Sequence, residues 1–209
     1  MKTSLPRFLA VGVLLFAAAG VSAKPNTIDN LKAATADIAD EKHRLAVQSA
    51  LLEFAASKRL DNFFAHSYGV VIFPTVGKGG LGIGGAHGSG WGFRAGKFDG
   101  TSKMTQVTFG FQAGGQAFSQ VIFFEDEDAF NRFTNGNFEL GAQASAVALT
   151  AGANASASTA GGAGAGANSS QAKSAYSDDG LAVFTMAKGG LMYEAAVGGQ
   201  KFSYRKQAK

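Results

Sequence analysis

The run Gly77-Lys78-Gly79-Gly80-Leu81-Gly82 matches the G-x-G-x-x-G spacing that cradles a dinucleotide pyrophosphate. That chemistry needs a helix opening at the third glycine, because the helix N-terminus holds the phosphates. Here the glycines continue as GKGGLGIGGAHGSGWG to Gly92, and nothing nearby reads as helix. The match is therefore not a nucleotide site. No glycine-lysine pair is followed by Ser or Thr, so there is no phosphate loop of the Walker type, and Ser89 lacks a G-x-S-x-G frame. His43, His66 and His87 have no metal-ligand spacing, and the chain contains no cysteine to join them. The acidic run Glu125-Asp126-Glu127-Asp128 lacks the alternating ligands and central glycine of a calcium loop and reads instead as a helix start. Asp178-Asp179-Gly180 reads as a turn. With no nucleophile–base pair and no cofactor cradle, the expectation is a non-enzymatic protein without a cofactor.

The residues left to do chemistry are cationic and aromatic. Lys32, Lys42, Arg44, Lys58 and Arg59 fall on the polar face of a helical stretch over 26–65. Lys201, Arg205 and Lys206 alternate with Phe202 and Tyr204 near the C-terminus, either as a membrane-facing patch or as a final strand with a solvated basic tail. Basic heads near an anionic surface contribute about 1 kcal/mol each, and Phe63, Phe64 and Trp91 read as aromatics free to insert at an interface.

These groups must be positioned by a helical first part and a strand-rich second part. Ile28, Leu31, Thr35, Ile38, Leu45, Ser49, Leu52 and Ala56 recur at spacings of three, four and seven, which predicts one apolar helix face, with Asn26 or Thr27 as cap and a break near Asp40-Glu41. This stretch is either an amphipathic helix docked on a sheet or a membrane-surface element. From Tyr68 the texture becomes β: Tyr68–Phe73 ending at Pro74, then Trp91–Phe98, Met104–Phe111 and Ala117–Phe124, with a turn at Asp99-Gly100. A helix over Glu125–Thr134 buries Ala129, Phe130 and Phe133. Leu181–Ala187, Leu191–Val197 and Lys201–Arg205 close the series. Residues 141–168 are biased toward small side chains with period two, a pattern able to expose pairing edges. The expected class is α+β: N-terminal amphipathic helices packed on a strongly curved, mainly antiparallel, barrel- or sandwich-like sheet.

The ends set an address. Lys2 and Arg7, an apolar run of 12 residues from Phe8 to Ala19, and Val21-Ser22-Ala23 predict a secretory signal peptide over 1–23. Twelve residues are too few to span a bilayer core. A single domain over 24–209 follows, mainly β over 68–205, expected to be exported, periplasmic or held at a membrane surface. Without a cysteine it is not lipidated. The formal charge of +4 falls to +2 once Lys2 and Arg7 leave, which excludes a nucleic-acid-binding balance and makes any attraction to anionic lipid a local matter.

Several stretches together resemble the SYLF domain family. They are Gly69-Val70-Val71-Ile72-Phe73-Pro74, the glycine-rich Lys78–Gly90, Phe109-Gly110-Phe111-Gln112-Ala113-Gly114-Gly115-Gln116, Phe138-Glu139-Leu140-Gly141, the Ala/Gly-rich middle, and Tyr176-Ser177 leading into Gly180-Leu181. The resemblance runs from about Leu52 to Phe202. It implies a non-enzymatic domain that binds membrane lipids, with actin contact in some members, and lipid contact through a basic helix at the domain's start. Lys32, Lys42, Arg44, Lys58 and Arg59 fit that description here. The leading expectation is reversible binding of anionic phospholipid. The alternatives are an envelope structural or stress protein acting through a protein partner or self-association, and a carrier of a hydrophobic ligand.

Overall fold

The computed structural model describes residues 26–140, 147–149 and 176–208. The expected signal peptide and most of the small-residue segment 141–168 lie outside the described residues. The chain is α+β. Helices α1 (Ile28–Ala34), α2 (Glu41–Ala55) and α3 (Asp61–His66) come first, joined by short 3-10 turns. Strands β1 (Gly69–Arg94) and β2 (Lys97–Phe124), helix α4 (Glu127–Thr134) and strands β3 (Asn137–Leu140), β4 (Val147–Leu149) and β5 (Leu181–Lys206) follow.

Local chemistry sets the helix boundaries. Thr27 Oγ1 accepts a hydrogen bond from Asn30 N (3.4 Å), and Asp40 Oδ1 accepts one from His43 N (2.8 Å), so each side chain satisfies a helix-start amide. Asp126 caps α4 in the same way through Ala129 N (2.8 Å). The break near Asp40 resets the helical phase. Leu31, Thr35 and Ile38 are buried as expected, but α2 buries Val47, Ala50, Leu51 and Phe54. Leu45 and Leu52, expected on the buried face, point outward at 56% and 55% exposure.

The glycine stretches do not separate strands. They lie inside three strands of 26 to 28 residues, paired antiparallel in the order β1-β2-β5-β3, with β4 parallel to β5. The hairpin turn is Ala95-Gly96, both at positive φ (50° and 68°), and Asp99-Gly100 lies within β2. Pro74 does not end β1 but sits in a register shift between Phe73 and Val76, where a missing N–H costs no ladder bond. Among the described residues the strand path is open, with β1 and β3 at its ends, so the sheet is not closed into the expected barrel. Long strands replaced many short ones, and length was what the glycines concealed.

A straight strand of 26 residues would run about 85 Å at roughly 3.3 Å per residue. Yet Ala95 N donates to Tyr68 O at 3.3 Å, so the two ends of β1 meet. Gly82 (φ 73°) marks the register shift between Leu81 and Ile83 at mid-strand. After the bend, Gly90 lies against the Phe73 ring of the same strand: a Cβ there would sit 2.6 Å from the ring, closer than real contacts allow. Asn26 ties the seam, donating to Ser67 O (2.8 Å) and Tyr68 O (2.9 Å) while its Oδ1 accepts from Gly96 N (2.8 Å).

Two apolar clusters hold this shape. One joins the helices to the sheet through Leu51, Phe54 and Phe63 against Ile72, Phe93 and Phe123. The other gathers residues from before and after the bend, Phe73 and Phe124 with Met104 and Phe202, around Phe130 and Phe133 of α4. The rings of Phe73 and Phe202 lie 5.7 Å apart, and those of Phe133 and Phe202 5.1 Å. Aromatic rings therefore pack between the two arms of the bent sheet. A Cβ on Gly69 would fall on the Phe130 ring, so α4 docks where the sheet carries no side chain.

Candidate functional site

The mid-strand bend puts unlike chemistry on the surface. Leu81, Ile83, Val107 and Phe109 are exposed by 84%, 65%, 47% and 61%. Ile83 and Phe109 face each other across the β1–β2 ladder, and Val107 follows two residues from Phe109 on the same side. Further along that side the ladder carries His87 opposite Thr105 and Ser89 opposite Lys103, with Lys201 opposite Thr105 on β5; His87, Lys103 and Lys201 are exposed. Residues 77–92 and 101–117 contain no Asp or Glu. The result is an apolar crest with Lys103 and Lys201 further along the same side. Sequence reading missed the crest because the glycines were taken as turns. Read as one strand, Leu81 and Ile83 stand out as large apolar residues in a stretch without polar cover.

The candidate residues singled out from the sequence are dispersed. Lys32 is exposed on α1, Lys42 is exposed at the start of α2, and Lys58 and Arg59 are exposed in the 3-10 turn before α3. Arg44 is half-buried, 3.9 Å from Glu41 Oε1. Lys42 lies one turn before the outward-pointing Leu45, and Leu52 follows two turns further on, so the otherwise polar outer surface of α2 carries two exposed leucines. Lys201 is held by Glu139 at 2.7 Å between two exposed side chains, a pair of small energetic weight. Arg205 is exposed near the end of β5 and makes no ion pair among the described residues. Phe63, Phe64 and Trp91, expected to be free aromatics, are instead buried: Phe63 and Phe64 pack on Phe123, and Trp91 lies 4.9 Å from the His43 ring. Their apolar surface was needed to seat the helices.

The last turn of the sheet holds a polar chain. Tyr204 Oη donates to Asp99 Oδ2 (3.1 Å), and Arg94 pairs with Asp99 Oδ1 (3.1 Å). Burial, then the Asp99 charge and hydrogen bond, push the Tyr204 phenol well above its ordinary value, and burial does the same for Tyr176. Both are structural groups; neither faces a nucleophile or a metal cluster. All three histidines are exposed, and the described residues hold no group of three or more His, Cys, Asp or Glu placed to bind a metal. No helix among them is long and apolar enough to cross a membrane.

Residues 105–209 match the family described as Ysc84: Las17-binding protein actin regulator, the SYLF family, and the chain belongs to it. The match takes in most of β2, α4 and all of β5, half of the chain, including the Phe109–Gln116 stretch that carries the crest. No curated protein matches the chain, and no solved structure does.

Proposed function

We propose that this is an exported, non-enzymatic protein that binds the surface of anionic membranes reversibly, through the crest at the sheet bend. The observation that carries the reading is the exposure of Leu81, Ile83, Val107 and Phe109 on an acid-free stretch that also carries Lys103 further along the same side. Full burial of a side chain of this size is worth roughly 1.5–3 kcal/mol, and each cation near an anionic surface about 1 kcal/mol. A shallow insertion of two or three such groups supplies the few kcal/mol of a reversible contact, far short of permanent anchorage. Family membership supports a binding role, and the exposed Lys42, Leu45 and Leu52 on α2 offer a second contact of the same kind.

The test is co-sedimentation of the protein, lacking residues 1–23, with vesicles of phosphatidylglycerol and of phosphatidylcholine. Preferential binding to the anionic vesicles is expected, weakening as salt rises because exposed charges are screened over about 10 Å at 0.1 M. The double variant Ile83→Ser, Phe109→Ser should lose at least tenfold in affinity. Equal, negligible sedimentation with both lipids would overturn the reading.

A further inference from the structure

Away from the crest, a groove of about 360 Å³ opens between the start of α2 and the far end of the sheet. Its floor is aromatic: Trp91, with the His43 ring tilted against it at 4.9 Å, and the half-buried Phe98. One wall carries Asp37 and Asp40. Asp40 is already engaged, capping α2 and lying 3.3 Å from His43 Nδ1, whereas Asp37 has no hydrogen bond or ion pair among the described residues. The groove is also lined by the end of β5, where Arg205 and Lys206 are exposed and likewise without an ion-pair partner among those residues. The Thr101 hydroxyl, exposed opposite Arg205 on the ladder, adds a neutral donor.

Neither charge alone suits this groove. A bare anion at Arg205 and Lys206 would share the groove with Asp37 and Asp40, and a bare cation at Asp37 would share it with two positive charges. A ligand carrying both signs satisfies both sets of groups. Guanidinium and ammonium groups bind phosphoester oxygens through charge-assisted hydrogen bonds. A carboxylate beside aromatic rings holds an organic ammonium by ion pairing and attraction to the ring faces. We infer that the groove between Asp37 and Arg205 is a binding site for a phosphorylated amine, with the ammonium at Asp37 over the Trp91 and Phe98 floor and the phosphoester at Arg205 and Lys206. The same chemistry occurs in a free phosphorylated amino alcohol and in the headgroup of a zwitterionic phospholipid. The site does not depend on insertion of the crest.

Trp91 is the sole tryptophan of the chain, so its fluorescence reports on this groove alone. The protein lacking residues 1–23 is titrated with soluble phosphoethanolamine and phosphocholine, with inorganic phosphate and tetramethylammonium as half-ligand controls. A saturable change in Trp91 emission is expected with at least one phosphorylated amine, at a midpoint at least tenfold lower than for either control. Asp37→Asn, and separately Arg205→Gln with Lys206→Gln, should each weaken it tenfold or more. These are surface changes, and an unaltered thermal midpoint verifies the fold. No saturable change, an equal midpoint for phosphate alone, or unchanged affinity in both variants overturns the proposal. Titration with phosphatidylcholine vesicles separates the sources: a response there as well assigns a lipid headgroup, and a response to the soluble compounds alone assigns a small metabolite. The variant Ile83→Ser, Phe109→Ser should retain the soluble titration, so failure of the crest reading and failure of this one are told apart.

Discussion

Tyr204 is held by a carboxylate that is itself held by a cation: its hydroxyl donates to Asp99, and Arg94 balances the charge. Its phenol is raised, as is that of Tyr176, so the folded state favours both in their neutral form. The sign of the pH effect follows. Below the ordinary phenol value of about 10 both states carry the proton, and the contribution is fully present. As pH climbs beyond that, the unfolded chain gives up protons that the fold retains, and stability is lost. The urea midpoint should fall between pH 9 and pH 11, and Tyr204→Phe should fall less steeply over that interval than the parent. The same residue scale explains why Trp91 could not be judged from sequence. An aromatic among glycines reads as exposed, but here Trp91 packs in the cluster that joins the helices to the sheet, and α2 supplies His43 as a cover.

Three helix starts were legible in the sequence because capping is local: Thr27 caps α1, and Asp40 and Asp126 lie at the expected break and the expected acidic start, each acting within three residues of itself. So was the buried side of α4, where Ala129, Phe130 and Phe133 share a helical face. Asp126→Ala should therefore cost about 1 kcal/mol, read as a lower thermal midpoint, with Phe130→Ala costing roughly 3–5 kcal/mol in the same measurement. The facing of α2 was not legible. Its apolar residues satisfy two helical phases, Leu45 with Leu52 and Val47 with Leu51 and Phe54, and only packing against the sheet chose the second. Strand length was hidden for a related reason. Glycine is the residue of turns and also of strands that another backbone or ring must approach, and Gly88 and Gly90 belong to the second kind because Val76 and Phe73 press on them. The candidate site suffered in consequence. The crest is visible only once Gly77–Gly92 is read as strand, whereas the basic residues read from a helical polar face and a C-terminal alternation lie scattered over several elements, with Arg44 half-buried.

At the scale of the molecule, the bent sheet presents two chemically distinct ends: an apolar crest at the bend and a charged groove where the helices meet the strand ends. The seam where the ends of β1 meet is closed by Asn26, whose amide bridges Ser67, Tyr68 and Gly96 across separations of 41 to 70 residues. That reach has a consequence in time. Contacts between distant parts of a chain form only after the intervening loop entropy has been met, so a bridge of this kind closes late, once the β1–β2 hairpin and its bend are already in place. A contact absent from the rate-limiting ensemble governs escape from the native state and leaves its formation untouched. Asn26→Ala should accordingly hasten unfolding in stopped-flow denaturant jumps with little change in the refolding limb. One side chain near the start of the domain would then set how long the fold lasts, while having almost no say in how quickly it is reached.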